Sequence, residues 1–449
     1  MAVFDLTKFN FTQKSDDVYN KYIGNINESP IVAISNTGTV DAKAGNDEII
    51  GIAKATNGTA YGIDNRGTIL AGTGNDEIKG IAIVNNETSI DTAYGIFNDG
   101  LIDGGAGNDK ITGIATATND FAFGILNNDL IDGGAGNDKI TGIAKATNDT
   151  AIGIYNNDTI DAKAGNDKII GIVEATNGTA FGIDNRGTIL AGTGNDEIKG
   201  IAIVNNETSI DTAYGIFNDG LIDGGAGNDK ITGIAKATND TAIGIYNNGT
   251  IDAKAGNDEI IGIAEAANGT AYGIDNKDTI LAGAGNDKIT GSANSLGAGS
   301  TAYGIFNNGV IDTDEGHDTL TGQATTKVGG VIYGIFGDGT INTGDGNDRV
   351  VATSDINGVQ QRVTIGGGGI FNLGSGNDYF KGFGDATVNA GSGFDTLDLS
   401  DFRAIEFTFS GIIPGGNNPT SIIFNNNGDL ITMTITGFEK IIFADGIAS

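Results

Sequence analysis

The sequence predicts an all-β chain, a parallel β-helix or β-roll solenoid with coils of about 30 residues, capped at both ends. Three observations predict it. A Gly-Asn-Asp tripeptide recurs along most of the chain at near-constant spacing. Each repeat holds three short Ile-rich runs bounded by Gly, Asn or Asp, the punctuation of turns. No stretch of the repeat keeps helical periodicity.

The tripeptide ends on Asp47, Asp76, Asp109, Asp138, Asp167, Asp196, Asp229, Asp258 and Asp287. Variants continue it at Asp318 (Gly-His-Asp), Asp348, Asp378 and Asp395 (Gly-Phe-Asp). The spacings are 29, 33, 29, 29, 29, 33, 29, 29, 31, 30, 30 and 17. A second column, Asn36, Asn65, Asn98, Asn127, Asn156, Asn185, Asn218, Asn247, Asn276 and Asn307, precedes the first ten Asp residues by eleven. Because that offset is constant, length variation belongs to one outer turn, such as Val84-Asn85-Asn86-Glu87-Thr88. The Asn column reads as a structural ladder rather than a ligand set. The stretch from Gly58 to Ala115 recurs 120 residues later, so a unique active site is not expected inside the duplicated region.

Within one repeat the runs are Ala60–Ile63, Thr68–Ala71 and Ile78–Ala82. Three strands in about 30 residues make one coil, and coils stack at about 4.8 Å. Ile63, Ile69 and Ile78 are then expected to stack inside on their own copies, in a core that no single repeat completes. Pro cannot donate to a strand ladder, and none occurs between Pro30 and Pro414. The expected domains are an N-terminal cap over 1–30, the repeats over 31–395, and a C-terminal cap over 396–449 where the period is lost.

Composition removes several functions. Acidic residues outnumber basic ones 57 to 25, giving a net charge of −32, the wrong sign for displacing counterions from nucleic acid. The same charge disfavours anionic membrane surfaces. No apolar run approaches the roughly 18 residues of a membrane span. Without Cys there is no disulfide, thiolate metal site or thiol nucleophile. The 39% of hydrophobic residues is too high for disorder. No cationic, apolar, small-residue leader opens the chain, so no N-terminal signal peptide is expected.

The turns carry the chemistry. Hard cations such as calcium take six to eight oxygens from carboxylates and backbone carbonyls. A Gly-rich turn folds carbonyls inward, and the Asp supplies charge. The full form Gly-Gly-Ala-Gly-Asn-Asp occurs at 104–109, 133–138 and 224–229, each followed by Lys-Ile. This Gly-Gly-x-Gly-x-Asp-x-apolar pattern resembles the calcium-binding nonapeptide of RTX (hemolysin-type) proteins. Ala71–Asp76, Ala191–Asp196 and Ala282–Asp287 match with one Gly replaced, and Thr343–Asp348 and Leu373–Asp378 also match.

The resemblance implies several bound Ca²⁺ ions held by Gly72, Gly74 and Asp76; Gly105, Gly107 and Asp109; Gly134, Gly136 and Asp138; and Gly192, Gly194 and Asp196. It extends to Gly225, Gly227 and Asp229; Gly283, Gly285 and Asp287; Asp318; Gly344, Gly346 and Asp348; Gly374, Gly376 and Asp378; and Gly391, Gly393 and Asp395. Gly391–Phe402 is similar to a last RTX repeat, and Gly437–Gly446 to the tail that follows it. Such a tail implies type I secretion and an extracellular or cell-surface location. Two departures stand out. RTX repeats come in tandem, whereas here each coil carries one. The turns ending at Asp47, Asp167 and Asp258 read Ala-Lys-Ala-Gly-Asn-Asp; Lys lacks glycine's freedom at positive φ and brings like charge, so these sites are expected to be weak or empty.

The expected function is a secreted, calcium-binding structural, surface-coat or adhesive protein that is not an enzyme and folds on calcium outside the cell. Its partners would be calcium, copies of itself or cell-surface polysaccharide. The alternatives are a carbohydrate-active β-helix (lyase or epimerase) or an ice-binding solenoid. Leu101, Leu130, Leu221 and Val310 interrupt the Thr column that ice binding would need. Only five Arg occur, and Arg349–Gly369 is the one stretch where a unique site has room. His317 reads as a substituted turn residue. Asp64, Phe97, Leu126, Tyr155, Asp184, Phe217, Tyr246, Asp275, Phe306 and Phe336 share one repeat position and could form an exposed strip, read either as ordinary surface or as a lateral contact or glycan groove.

Overall fold

The computed structural model describes residues 3–24, 29–85, 91–205, 211–410 and 418–448. Asn86, Glu87 and Thr88 of the expected outer turn, and Pro414, lie outside the described residues. The chain is an all-β parallel solenoid of about 13 turns spaced about 29 residues apart, 65% strand and 1% helix. It divides into two compact units, Met1–Ala242 and Ile243–Ser449.

In Met1–Ala242 each coil contributes three strands, as in Thr59–Asn65, Thr68–Leu70 and Glu77–Val84. All three pair in parallel with their copies in the next coil. Ile63 faces Ile96, Ile69 faces Ile102, and Ile78 faces Ile111. These residues are at most 2% exposed, so the Ile columns form the interior as expected. The β-branched side chain suits a half-buried pleated surface, and its repetition pins the register. The four-residue insertions fall between Val84 and Thr92 and between Val204 and Asp211, in the gap the constant Asn–Asp offset points to. Near the N-terminus, Phe4–Asp5 and Asp17–Ile23 join the solenoid as parallel strands, and Leu6 and Phe11 are buried.

The two long strands of a coil meet backbone to backbone at glycine. A Cβ on Gly80 would lie 1.9 Å from the carbonyl oxygen of Gly95, so any side chain there would force the two strands apart.

Asn36 donates through Nδ2 to Asn65 Oδ1 at 2.8 Å, and Asn65 to Asn98, Asn98 to Asn127, Asn127 to Asn156 and Asn156 to Asn185 follow. Each of these Asn also donates to a backbone carbonyl of the following coil, so the buried amides are satisfied. The column is a structural ladder.

The expected exposed strip is different in the structure. Tyr61, Tyr94 and Phe123 stack face to face at 4.9 and 5.2 Å, and Phe97 packs edge-on against Tyr61 and Tyr94. Phe97 is half-buried, while Asp64, Leu126 and Asp184 are buried. Arg66 and Arg186 pair with Asp64 and Asp184 at 2.9 and 3.1 Å, and Arg186 lies over Tyr155. The strip residues Phe97 and Tyr155 thus pack edge-on against a neighbouring column of stacked rings, Tyr61, Tyr94 and Phe123.

In Ile243–Ser449 the same three-strand coil continues to Thr340–Asn342. Asp355 and Ile356 then pair antiparallel with Gln360 and Val359, a hairpin that breaks the coil path. Phe407–Ser410, Thr420–Asn426 and Asp429–Thr436 form an antiparallel meander. Phe383, Phe402, Phe407 and Phe424 pack together beneath it with ring centroids 4.9–6.1 Å apart.

Candidate metal centre

Nine of the motif turns reverse the chain with two left-handed glycines; the turn ending at Asp318 has Asp314 at the first position, at φ +63°. Gly72, Gly105, Gly134, Gly192, Gly225, Gly283, Gly344, Gly374 and Gly391 have φ between +80° and +101°. Gly74, Gly107, Gly136, Gly194, Gly227, Gly285, Gly346, Gly376 and Gly393 lie between +136° and +157°. The second set is the stricter. A Cβ on Gly107 would sit 1.5 Å from the Gly74 carbonyl oxygen of the neighbouring coil. Only glycine meets both the dihedral and the close approach.

The turn delivers its Asp side chain inward. In Met1–Ala242 the backbone N–H of Asp47 donates to Asp76 Oδ1 at 2.6 Å, and Asp76 to Asp109, Asp109 to Asp138, Asp138 to Asp167, Asp167 to Asp196 and Asp196 to Asp229 continue at 2.6–2.8 Å. In Ile243–Ser449 the column runs from Asp258 through Asp287, Asp318, Asp348 and Asp378 to Asp395, whose N–H donates to Glu439 Oε2 at 2.8 Å. The sequence columns thus become carboxylate ladders.

The other oxygen is the chemically informative one. Oδ2 of Asp47, Asp76, Asp109, Asp138, Asp167, Asp196, Asp287, Asp318, Asp348, Asp378 and Asp395 is buried with no hydrogen-bond partner, and these residues are at most 3% exposed. A buried charge without a partner is costly. Burial therefore pushes the carboxyls of Asp109, Asp167, Asp287 and Asp378 up to about 7, against the pull of the N–H each accepts. The same cause lifts Asp76, Asp138, Asp196 and Asp348 to about 6. Near neutral pH each such oxygen calls for a proton or a cation.

The space beside Oδ2 varies from coil to coil. A Cβ on Gly104 would lie 3.0 Å from Asp109 Oδ2 and 2.4 Å from the Gly133 carbonyl oxygen; one on Gly133 would lie 3.1 Å from Asp138 Oδ2. Gly104 and Gly133 therefore leave a small cradle bounded by oxygen. At the equivalent place other turns carry buried Ala71, Ala191 and Ala282, or Thr313 and Thr343. The donor set is all oxygen, as a hard cation requires, and the fit is best at the Asp109 and Asp138 rungs. Among the described residues no group of three or more His, Cys, Asp or Glu side chains converges to hold a metal ion. A cation at these rungs would draw the balance of its ligands from carbonyls.

The Lys-bearing turns keep the same form. Lys43, Lys163 and Lys254 hold φ of +74°, +75° and +78°, so the side chain tolerates the first glycine's backbone region. Their ammonium groups turn elsewhere. Lys163 pairs with Asp161 at 2.6 Å, Lys254 with Asp252 at 2.6 Å, and Lys43 donates to the Phe11 carbonyl.

One ladder escaped the sequence reading. The middle residue of the tripeptide forms its own exposed column: the N–H of Asn75 donates to Asn46 Oδ1, and Asn108, Asn137, Asn166 and Asn195 repeat it. His317 replaces one member, and its Nδ1 accepts the N–H of Asn347 at 2.8 Å. The recurrence of that Asn, broken only at His317 and Phe394, was the available signal.

Among the described residues no helix is long and apolar enough to cross a membrane. The solenoid is compatible with an RTX-like repeat fold. No family model matches the chain, and no curated protein matches it.

Proposed function

We propose that this chain is a secreted, calcium-binding β-solenoid with a structural, surface-coat or adhesive role, and not an enzyme. One observation carries the reading: in the ladders of buried aspartates, Oδ2 of residues such as Asp76, Asp109, Asp138, Asp287, Asp348 and Asp378 has no hydrogen-bond partner within the protein. Calcium, when bound, supplies positive charge and a demand for oxygen ligands. Asp109 and Asp138, with the carbonyls beside Gly104 and Gly133, are the residues best shaped to hold it. The RTX resemblance supports the same reading and adds type I export.

Sites that exist only in the folded chain make metal affinity part of the folding free energy. In cytosol, where free calcium is low, the ladder carboxylates repel one another and the chain stays expanded. Outside the cell, calcium neutralises the column and the coils close. Circular dichroism of calcium-stripped protein at low salt and pH 7.5, followed by calcium titration, tests this. The expected result is a gain of β-signal and a rising melting temperature. A complete β-spectrum in excess chelator, with a melting temperature that calcium does not move, would overturn the proposal.

A further inference from the structure

The repeat geometry fails at one place in Ile243–Ser449. Thr301–Asn307 pairs with the following coil from Thr301↔Val331 through Tyr303↔Tyr333 to Phe306↔Phe336. On the far side of Val331–Phe336 the pairing resumes only at Ile335↔Ile365 and Phe336↔Gly366. The chain that would have covered Val331–Gly334 departs instead as the hairpin of Asp355–Gln360. What it leaves is an open cleft of about 630 Å³, walled by the hairpin, Val331–Tyr333 and the turn between Asn426 and Asp429. A second cavity of about 230 Å³ shares Gln360 and extends along Gln323, Thr325, Thr353 and Asp355.

A column of rings ends at this cleft. Tyr272, Tyr303 and Tyr333 stack at 5.3 and 6.4 Å, Phe336 tilts against Tyr333 at 5.0 Å, and among the described residues no further ring stacks face to face beyond Tyr333. Gln360, Gln361 and Asn426 bring amides to the wall; Gln360 Nε2 donates to Asp401 Oδ2 at 3.3 Å and Gln361 Nε2 to the Val359 carbonyl at 2.8 Å, which leaves each amide its oxygen and a second N–H, and Val331 and Val359 bring methyls that are 48% and 64% exposed. The one cation present is engaged elsewhere. Arg362 holds Glu406 through two bonds of 3.1 and 2.7 Å, donates to the Asp401 carbonyl, and lies 4.1 Å over the Phe402 ring. The remaining charges, Asp355 and Asp429, are negative, as is the whole chain.

We propose that this cleft binds an uncharged oligosaccharide. Sugar hydroxyls both donate and accept, which matches amides that do the same. The apolar face of a pyranose ring packs on an aromatic face and on methyl groups. The volume lies within the range of about 300–1,000 Å³ usual for ligand pockets, and the adjoining cavity lengthens it for a chain of several sugars. Uronates, sulfates and phosphates find no available cation and meet two carboxylates. An extended peptide added to the open strand edge would find only the four residues of Val331–Gly334, so the amide-rich wall favours sugar. The assignment does not depend on the cation reading.

The test is calorimetric titration of the whole chain, in calcium-containing buffer, with cellohexaose, xylohexaose and mannohexaose. Hexagalacturonate and a synthetic Val-Thr-rich peptide serve as comparisons. At least one neutral hexasaccharide should bind, and Gln360→Ala, on the exposed hairpin, should weaken it about five- to tenfold. Tyr333→Ala should weaken it at least as much while the circular dichroism spectrum is unchanged. The proposal fails if none of the three neutral sugars binds. It also fails if their binding ignores both substitutions, or if hexagalacturonate or the peptide binds more tightly.

Discussion

The backbone N–H of Asp109 donates to Oδ1 of Asp138 at 2.7 Å, while Oδ2 of the same Asp138 carboxylate is buried without a partner. One oxygen holds adjacent coils together and the other leaves a charge to be neutralised. The two halves of the group can be separated by substitution. Asp138→Asn keeps the accepting oxygen and removes the charge. At pH 8 in chelator, where the parent is expanded, the variant should therefore retain more β-signal, a shift of about 1 kcal/mol toward the fold. In calcium it should bind fewer ions. Circular dichroism and calorimetric titration read the two effects.

The raised carboxyls give a signed pH dependence. Their folded values, about 6 to 7, lie above the unfolded value of 3.8. The folded state thus prefers the protonated form, and this contribution is fully present below pH 3.8. It is lost as pH rises through 6 to 7. Metal-free protein should show a melting temperature that falls between pH 4 and pH 8, and excess calcium should flatten the slope. A chelated melting temperature that is constant across this range would contradict the ladder's electrostatics.

The two glycines of a turn should differ in tolerance. Gly134→Lys copies the arrangement of Lys163 in the next coil, at φ +75°; its Cβ would meet the Gly105 carbonyl oxygen at 1.9 Å unless the turn relaxes toward the Lys163 form, and it should cost about 1–2 kcal/mol. Gly136→Ala meets both φ +137° and a carbonyl oxygen 1.6 Å from the new Cβ. It should cost about 3 kcal/mol or more. Urea unfolding of the two variants, monitored by circular dichroism in calcium, compares them directly.

His317 is predicted to act as an acceptor for Asn347. His317→Asn should leave stability within about 0.5 kcal/mol. His317→Ala removes the acceptor and should cost about 0.5–1.5 kcal/mol. The same urea titration distinguishes them.

The fold was legible because each coil repeats the same signals. Ile63, Ile69 and Ile78 recur with Gly and Asn between them, and one coil predicts the next. The Asp and Asn columns were visible for the same reason. What could not be read was orientation. Whether Asp109 faces solvent or core depends on two left-handed dihedrals at Gly105 and Gly107, which the sequence marks only as a turn. Gly104 could not be told apart from Gly105 as the residue that opens space beside Oδ2, since both are simply glycine. The hairpin at Asp355–Gln360 is a single event without a copy, and periodicity carries no information about it. The strip through Phe97 and Tyr155 was expected to be exposed because the sequence does not show that the neighbouring column of Tyr61, Tyr94 and Phe123 packs edge-on against it.

The aspartate ladder also has a direction. Within each unit the described rungs offer their N–H toward the later coil and their carboxylate toward the earlier one, and in Ile243–Ser449 Asp395 hands the last bond to Glu439, outside the repeat. The column is a vector, closed at that end by a different residue. A block of whole coils spliced into it meets a matching acceptor and donor at its two seams, whereas a fraction of a coil meets neither. Length is therefore quantised. Sequence duplication of the kind seen over 120 residues can extend the chain by integer steps, while the terminator stays in place and every interior joint remains the same joint.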